Sequence, residues 1–203
     1  MNLPRPLGRP RVEGDREQEI LRTALTVLGE VGYDRLTMDA VAARAKASKA
    51  TLYRRWSTKA KLVIDALHAT KDHGPFPEDT GSLRGDLEAA FCGMGGLTDP
   101  ELVATMGSVI TAISRDKEFA SEFREHFIAA KVELSRIIWD RAAARGELRP
   151  DLDVDLISHA MPGVILHRVF MLGEIVTEDL VTRVIDQIII PAATGHATPS
   201  HKD

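Results

Sequence analysis

Residues 36–67 read LTMDAVAARAKASKATLYRRWSTKAKLVIDAL, and this stretch decides the fold. Met38, Val41, Ala42 and Ala45 are spaced 0, 3, 4 and 7, the period of one helix face, and Thr37 stands where a hydroxyl caps the first free N–H groups. After a turn at Lys46 and Ala47, Ser48 repeats the capping position for a second short helix, whose inner side is Leu52, Tyr53 and Trp56. Thr58 can cap a third helix, with Leu62, Val63, Ala66 and Leu67 facing inward. Two capped helices of about two turns joined by a short turn are what a helix-turn-helix requires. The second of them leaves Lys49, Ala50, Thr51, Arg54 and Arg55 to project outward. That helix carries charge and hydroxyls for phosphates and donors for base edges in a major groove.

Upstream, Ile20, Leu21, Ala24, Leu25, Leu28 and Val31 recur at helical spacing, so a helix is expected over residues 15–31, ended by Gly32 in a left-handed conformation. Residues 1–14 hold Pro4, Pro6 and Pro10 between Arg5, Arg9 and Arg11, an arm rather than a helix. Downstream, the two prolines and two glycines of residues 73–81 mark a loop and the expected domain boundary. The expected domains are thus residues 1–72 and residues 73–203. The net charge of −4 over 203 residues conceals a split, about +5 in the first part and −9 in the second, so only the first would attract a polyanion.

The second part reads as helices throughout, which makes the expected fold class all-α. Leu83, Leu87, Phe91 and Met94 mark one helix. Asp99-Pro100-Glu101 opens another, carrying Leu102, Met106, Val109, Ile110 and Ile113. One long helix is expected over residues 116–145, with Phe119, Phe123, Phe127, Leu134 and Ile138 on its apolar face and Gly146 ending it. Residues 154–173 are apolar over most of their circumference, with Pro162 expected to kink them, and residues 178–192 put Leu180, Val181, Val184, Ile185, Ile188 and Ile189 on one broad face. A small monomer has trouble burying both helices, so a homodimer formed through them is expected; central core helices are the alternative.

Several classes are argued against. No stretch approaches the roughly 18 apolar residues of a membrane span, and the amino terminus has no apolar signal core, so a cytoplasmic protein without a membrane partner is expected. Cys92, the single cysteine, lies on an apolar stripe and reads as packing rather than a redox site. No nucleophile–base pair, phosphate loop or paired-carboxylate site stands out, so no catalytic residue and no cofactor is expected. His126, His159 and His167 lack metal-ligand spacing, so no metal is expected either.

Residues 16–67 resemble the DNA-binding signature of the tetracycline-repressor (TetR) family. The resemblance is carried by Thr37, Val41-Ala42, Ser48, Ala50, Thr51-Leu52-Tyr53, Trp56 and Lys59, with Lys46 standing where the family pattern has glycine. Residues 146–149, Gly-Glu-Leu-Arg, look like the connection before the dimer helices of such proteins. The resemblance implies an N-terminal three-helix DNA-binding domain joined through a linking helix to a C-terminal domain that binds an effector and dimerises. Thr37, Tyr53 and Lys59 would meet phosphates of double-stranded operator DNA, with Arg55 adding charge there, and Ser48 would belong to the same DNA-binding surface. Lys49, Ala50, Thr51 and Arg54 would meet base edges. Arg9 and Arg11 would read a minor groove, or else belong to a solvated tail. An unidentified small-molecule effector would be lined by Phe91, Met94, Met106, Ile110, Phe123, Phe127, Met161 and Phe170, each equally at home in an ordinary core. The expected function is a sequence-specific transcriptional regulator, a repressor released from a palindromic operator by that effector. The alternatives are an activator, an architectural DNA binder and, most remotely, a helical enzyme or carrier.

Overall fold

A computed structural model describes residues 13–69, 79–92 and 100–195, and among them every regular element is helical. The chain divides into two compact units that part between Asp72 and His73.

The first unit contains α1 (Glu13–Arg35), α2 (Met38–Arg44), α3 (Lys49–Arg55) and α4 (Lys59–Ala69). Gly32, at φ 76 and ψ 165, interrupts α1 one residue past Val31, where the expected left-handed residue falls; a final helical turn follows it. Ile20, Leu21, Ala24 and Leu28 of α1 are buried, as are Leu62, Val63, Ala66 and Leu67 of α4, and α1 packs on both α4 and α2. Val41 and Ala42 of α2, with Leu52 and Trp56 of the α3 segment, complete this core. The Trp56 indole N–H donates to Asp65 Oδ2 at 2.9 Å, so the one polar atom of that buried ring is satisfied by α4.

The second unit contains α5 (Leu83–Cys92), α6 (Pro100–Arg115), α7 (Lys117–Glu122), a π-helical segment (Phe123–Ile128), α8 (Ala129–Ala144), α9 (Val154–Ser158), α10 (Ala160–Phe170), α11 (Glu178–Val184), a second π-helical segment (Ile185–Ile189) and α12 (Ile190–Thr194). The long helix expected over residues 116–145 is therefore α7 and α8 joined by a π turn, with Asp116 as its cap. In a π turn, side chains four apart come nearly into line. Phe119, Phe123 and Phe127 accordingly stack in sequence, with ring centroids 5.9 and 4.9 Å apart. Beyond them Leu134, expected on the buried face, is exposed.

The single helix expected over residues 154–173 is broken. Pro162 cannot donate to the Ser158 carbonyl and its ring crowds that oxygen, so α9 stops at Ser158 and α10 begins two residues on. Pro191 acts similarly on the last helix, where the turn before it opens into the second π segment. Leu83, Leu87, Trp139, Met161, Ile165, Val181, Ile185 and Ile189 share one core cluster.

A buried ion network fixes the start of α5. Asp86 is 0% exposed; its Oδ1 accepts from the Thr80 N–H (2.8 Å) and hydroxyl (2.6 Å), and its Oδ2 from Arg145 (2.9 Å). Arg145 also pairs with Asp79 and Glu147, and Glu147 accepts from the Leu83 N–H at 2.7 Å. Burial alone would raise the Asp86 pKa, but the Thr80 and Arg145 hydrogen bonds outweigh it and hold the carboxyl below its ordinary value. The Gly146–Arg149 connection thus ties α8 to α5, and its Arg149 N–H donates to the Ala193 carbonyl.

Candidate nucleic-acid interface

The two caps of the helix-turn-helix form as the sequence implies. Thr37 Oγ1 accepts from the Ala40 N–H and Ser48 Oγ from the Thr51 N–H, both at 3.1 Å, while Thr58 Oγ1 accepts from the Lys61 N–H at 3.2 Å. Between α2 and α3 the chain turns through a Schellman end. The Ala47 N–H donates to the Ala42 carbonyl and the Lys46 N–H to the Ala43 carbonyl, which places Lys46 at the left-handed position with φ 51. Lys46 is the only non-glycine residue with positive φ among the described residues. That conformation costs a side-chain-bearing residue roughly 1–2 kcal/mol, so the turn keeps the geometry glycine would give it, at an energetic cost.

Leu52 and Trp56 anchor α3, and Lys49, Ala50, Tyr53, Arg54 and Arg55 are exposed on its outer side. The expected inner side is corrected at Tyr53. Its neighbours Leu52 and Trp56 fill the core, and the ring is 53% exposed. The outward side chains divide by what they already hold. Lys49 Nζ donates to Asp39 Oδ2 at 2.5 Å, a bond that keeps its ammonium pKa above the ordinary value. Arg55 forks onto Glu17 at 2.8 and 3.2 Å. Lys59, expected to offer its ammonium to a phosphate, spends it on the Tyr33 carbonyl at 3.0 Å and lies 4.1 Å from the centre of the Tyr33 ring. Thr51 Oγ1 is 2.7 Å from Ser48 Oγ. Among the described residues Tyr53 and Arg54 take no such hydrogen bond or ion pair, which sets them apart from these other polar side chains.

Sequence reasoning missed Arg16. Its Nη2 donates to the carbonyls of Ala45 (2.5 Å) and Lys46 (2.7 Å), and its Nη1 pairs with Glu19. Arg9 and Arg11 lie outside the described residues.

The residues expected around an effector do not form one group. Met161 lies in the core cluster, with Phe91 and Phe170 packed against it. Phe123 and Phe127 belong to the separate aromatic stack, Met106 is half-buried and Ile110 is exposed. Met94 lies outside the described residues. One feature had no signal in the sequence: Trp139, 2% exposed in that cluster, has an indole N–H with no hydrogen-bond partner among the described residues. Among the described residues no group of three or more His, Cys, Asp or Glu is placed to hold a metal ion, and no helix is long and apolar enough to cross a membrane.

A capped helix-turn-helix in a small bundle, followed by a separate helical unit, defines a two-unit DNA-binding regulator. Comparison with known proteins agrees. Residues 20–66 match the family profile described as bacterial regulatory proteins, tetR family, and residues 77–188 match the tetracyclin repressor-like C-terminal domain. An uncharacterized HTH-type transcriptional regulator of Mycobacterium tuberculosis is 36% identical over 182 residues, 88% of each chain. A DNA-binding transcriptional repressor, TetR, of Mycobacteroides abscessus is 36% identical over 179 residues, 86% of this chain and 92% of its own. Among solved structures, the TetR family transcription regulator SCO0332 superposes with a TM-score of 0.67 at 28% identity, covering 86% of this chain and 97% of that one. The chain belongs to the TetR family of transcriptional regulators.

Proposed function

We propose that this protein is a repressor that binds a palindromic operator as a homodimer and leaves it when an effector occupies the C-terminal unit. The observation that carries the first part is the outer side of α3, where Tyr53 and Arg54 are uncommitted above a helix anchored by Leu52 and Trp56. Tyr53 meets a phosphate and Arg54 a base edge or phosphate. Ala50 and the Thr51 methyl suit a thymine methyl. Lys49 and Arg55 reach DNA by exchanging Asp39 and Glu17 for phosphate or base. Thr37 and Ser48 present helix amino termini to phosphates, and Lys59 serves through its backbone at the start of α4. Arg9 and Arg11 read the adjoining minor groove. Repression is suggested by the Mycobacteroides relative, a DNA-binding transcriptional repressor, and a regulator of this kind would act in the cytoplasm, where its operator is.

Residues 1–72 form the DNA-binding domain and residues 73–203 the effector and dimerisation domain in this reading. Dimerisation is supported by apolar side chains left exposed on and beside the last helices: Leu166 and Ile188, with Met171, Leu172 and Ile175 in the connection between them. An effector is supported by the unpartnered Trp139 N–H, since a buried donor left unpaired costs about 1–3 kcal/mol and an acceptor-bearing guest would recover it. The purified protein should select genomic fragments carrying a palindrome with half-sites one turn apart, roughly 34–36 Å, or a multiple of that. It should hold them roughly 10³-fold or more tighter than bulk DNA. Equal affinity for the selected and bulk duplexes would leave an architectural binder as the better description.

A further inference from the structure

The turn between α2 and α3 sets the angle at which α3 leaves the bundle, and its left-handed residue is a lysine. The Schellman bonds satisfy the carbonyls of Ala42 and Ala43, but among the described residues no turn N–H reaches those of Ala45 and Lys46. One guanidinium nitrogen, Arg16 Nη2, takes both, at 2.5 and 2.7 Å, from the first turns of α1. Glu19 holds the other nitrogen, Nη1, so the group is occupied on three acceptors and faces its own chain rather than a ligand. The next residue along, Glu17, grips Arg55 at the far end of α3. Adjacent residues of α1 therefore secure both ends of the recognition helix mount.

We infer that Arg16 is a positioning residue for operator recognition: by clamping the Ala45 and Lys46 carbonyls it holds Lys46 in the left-handed conformation that glycine adopts freely, and so fixes the projection of α3. The inference rests on the docking of α3 proposed above, and it makes two statements that docking does not. Arg16 acts on the turn without touching DNA, and its importance depends on the side chain at position 46. With glycine there, the left-handed backbone is no longer disfavoured and the clamp becomes dispensable.

The test uses the full chain, the selected operator duplex and a shuffled duplex of equal length, with Arg16→Ala, Lys46→Gly and the double variant. Hydrogen exchange is followed in the peptide spanning residues 43–48. Arg16→Ala should accelerate exchange of the Lys46 and Ala47 amides about tenfold. It should also lower operator affinity about tenfold, while affinity for shuffled DNA changes less than twofold and the salt dependence keeps its slope. Adding Lys46→Gly should bring exchange and operator affinity back to within about threefold of the parent. Unchanged exchange in Arg16→Ala overturns the clamp, as does a loss that glycine does not rescue. An equal loss on both duplexes with a shallower salt slope makes Arg16 a phosphate contact and also overturns it. Should Arg16→Ala unfold, Arg16→Gln, which shortens the reach and removes the charge, carries the same comparison. Exchange is read without DNA, so a parent protein that shows no operator preference defeats the docking reading while the clamp is still decided.

Discussion

Replacing Tyr53 by phenylalanine removes one oxygen from the outer side of α3 and nothing else. The ring is 53% exposed and its hydroxyl has no hydrogen-bond partner among the described residues, so folding stability should stay within about 0.5 kcal/mol of the parent. On DNA the loss is larger. A hydrogen bond to a charged group contributes about 1.5–3 kcal/mol, and the exposed position argues for the lower end. A dimer presents the side chain twice, so operator binding should weaken by about 3 kcal/mol, roughly 150-fold. The tyrosine is neutral and releases no counterion, so the slope of log affinity against log salt should not change. Fluorescence anisotropy with a labelled operator between 50 and 200 mM KCl measures both quantities, and urea denaturation checks the fold. A loss below threefold, or a change of slope, would show that the hydroxyl does not meet a phosphate. Arg54→Ala provides the contrast: if its guanidinium sits on a phosphate in each half-site, the slope should become shallower by about 1.8.

In the C-terminal unit, Asp86→Asn turns an amide NH2 towards the Arg145 donor, while Asp79 and Glu147 still neutralise that arginine, so a destabilisation of about 2–3 kcal/mol is expected in urea at pH 7. The Asp86 pKa is depressed in the folded chain, so its contribution is complete above the unfolded value near 3.8 and fades as pH falls through the folded one; the gap between parent and variant should therefore close below about pH 4, and a gap constant down to pH 3 refutes the assignment. Leu166→Glu with Ile188→Glu places two carboxylates where the proposed interface is apolar, and burying each without a partner costs several kcal/mol. Sedimentation should show folded monomers, and a dimer that survives at micromolar concentration removes these helices from the interface.

Much of this was legible because it depends on local chemistry. Thr37, Ser48 and Asp116 cap helices through N–H groups three residues on, and Gly32 breaks α1 one residue past Val31. Such relations are written in adjacent letters. The π turns were not legible, because the apolar period of residues 116–138 reads as one unbroken helix and the rotation beyond the first π turn shows only in side chains such as Leu134, which leaves the buried face; only Pro162 announced its break. The residues expected around an effector show a related limit. An apolar period identifies which side chains are buried, but not that Met161 and Phe127 are buried in different clusters.

The recognition surface shows the deeper limit. Residue type alone makes Lys49, Arg54, Arg55 and Lys59 equivalent cations, yet the acceptors that distinguish them lie 10, 38 and 26 residues away on other helices. The same holds for Arg16, whose acceptors are main-chain carbonyls 29 and 30 residues on and leave no trace in any side-chain pattern. This pairing has a consequence for selectivity. In the docking proposed above, Lys49 and Arg55 would exchange their exposed pairs with Asp39 and Glu17 for contacts with DNA. In the same docking Tyr53 and Arg54, which hold no hydrogen bond or ion pair among the described residues, would make contacts that depend on the depth and angle at which α3 is held. Discrimination therefore falls on whatever fixes that angle, and the left-handed turn at Lys46 is its narrowest point.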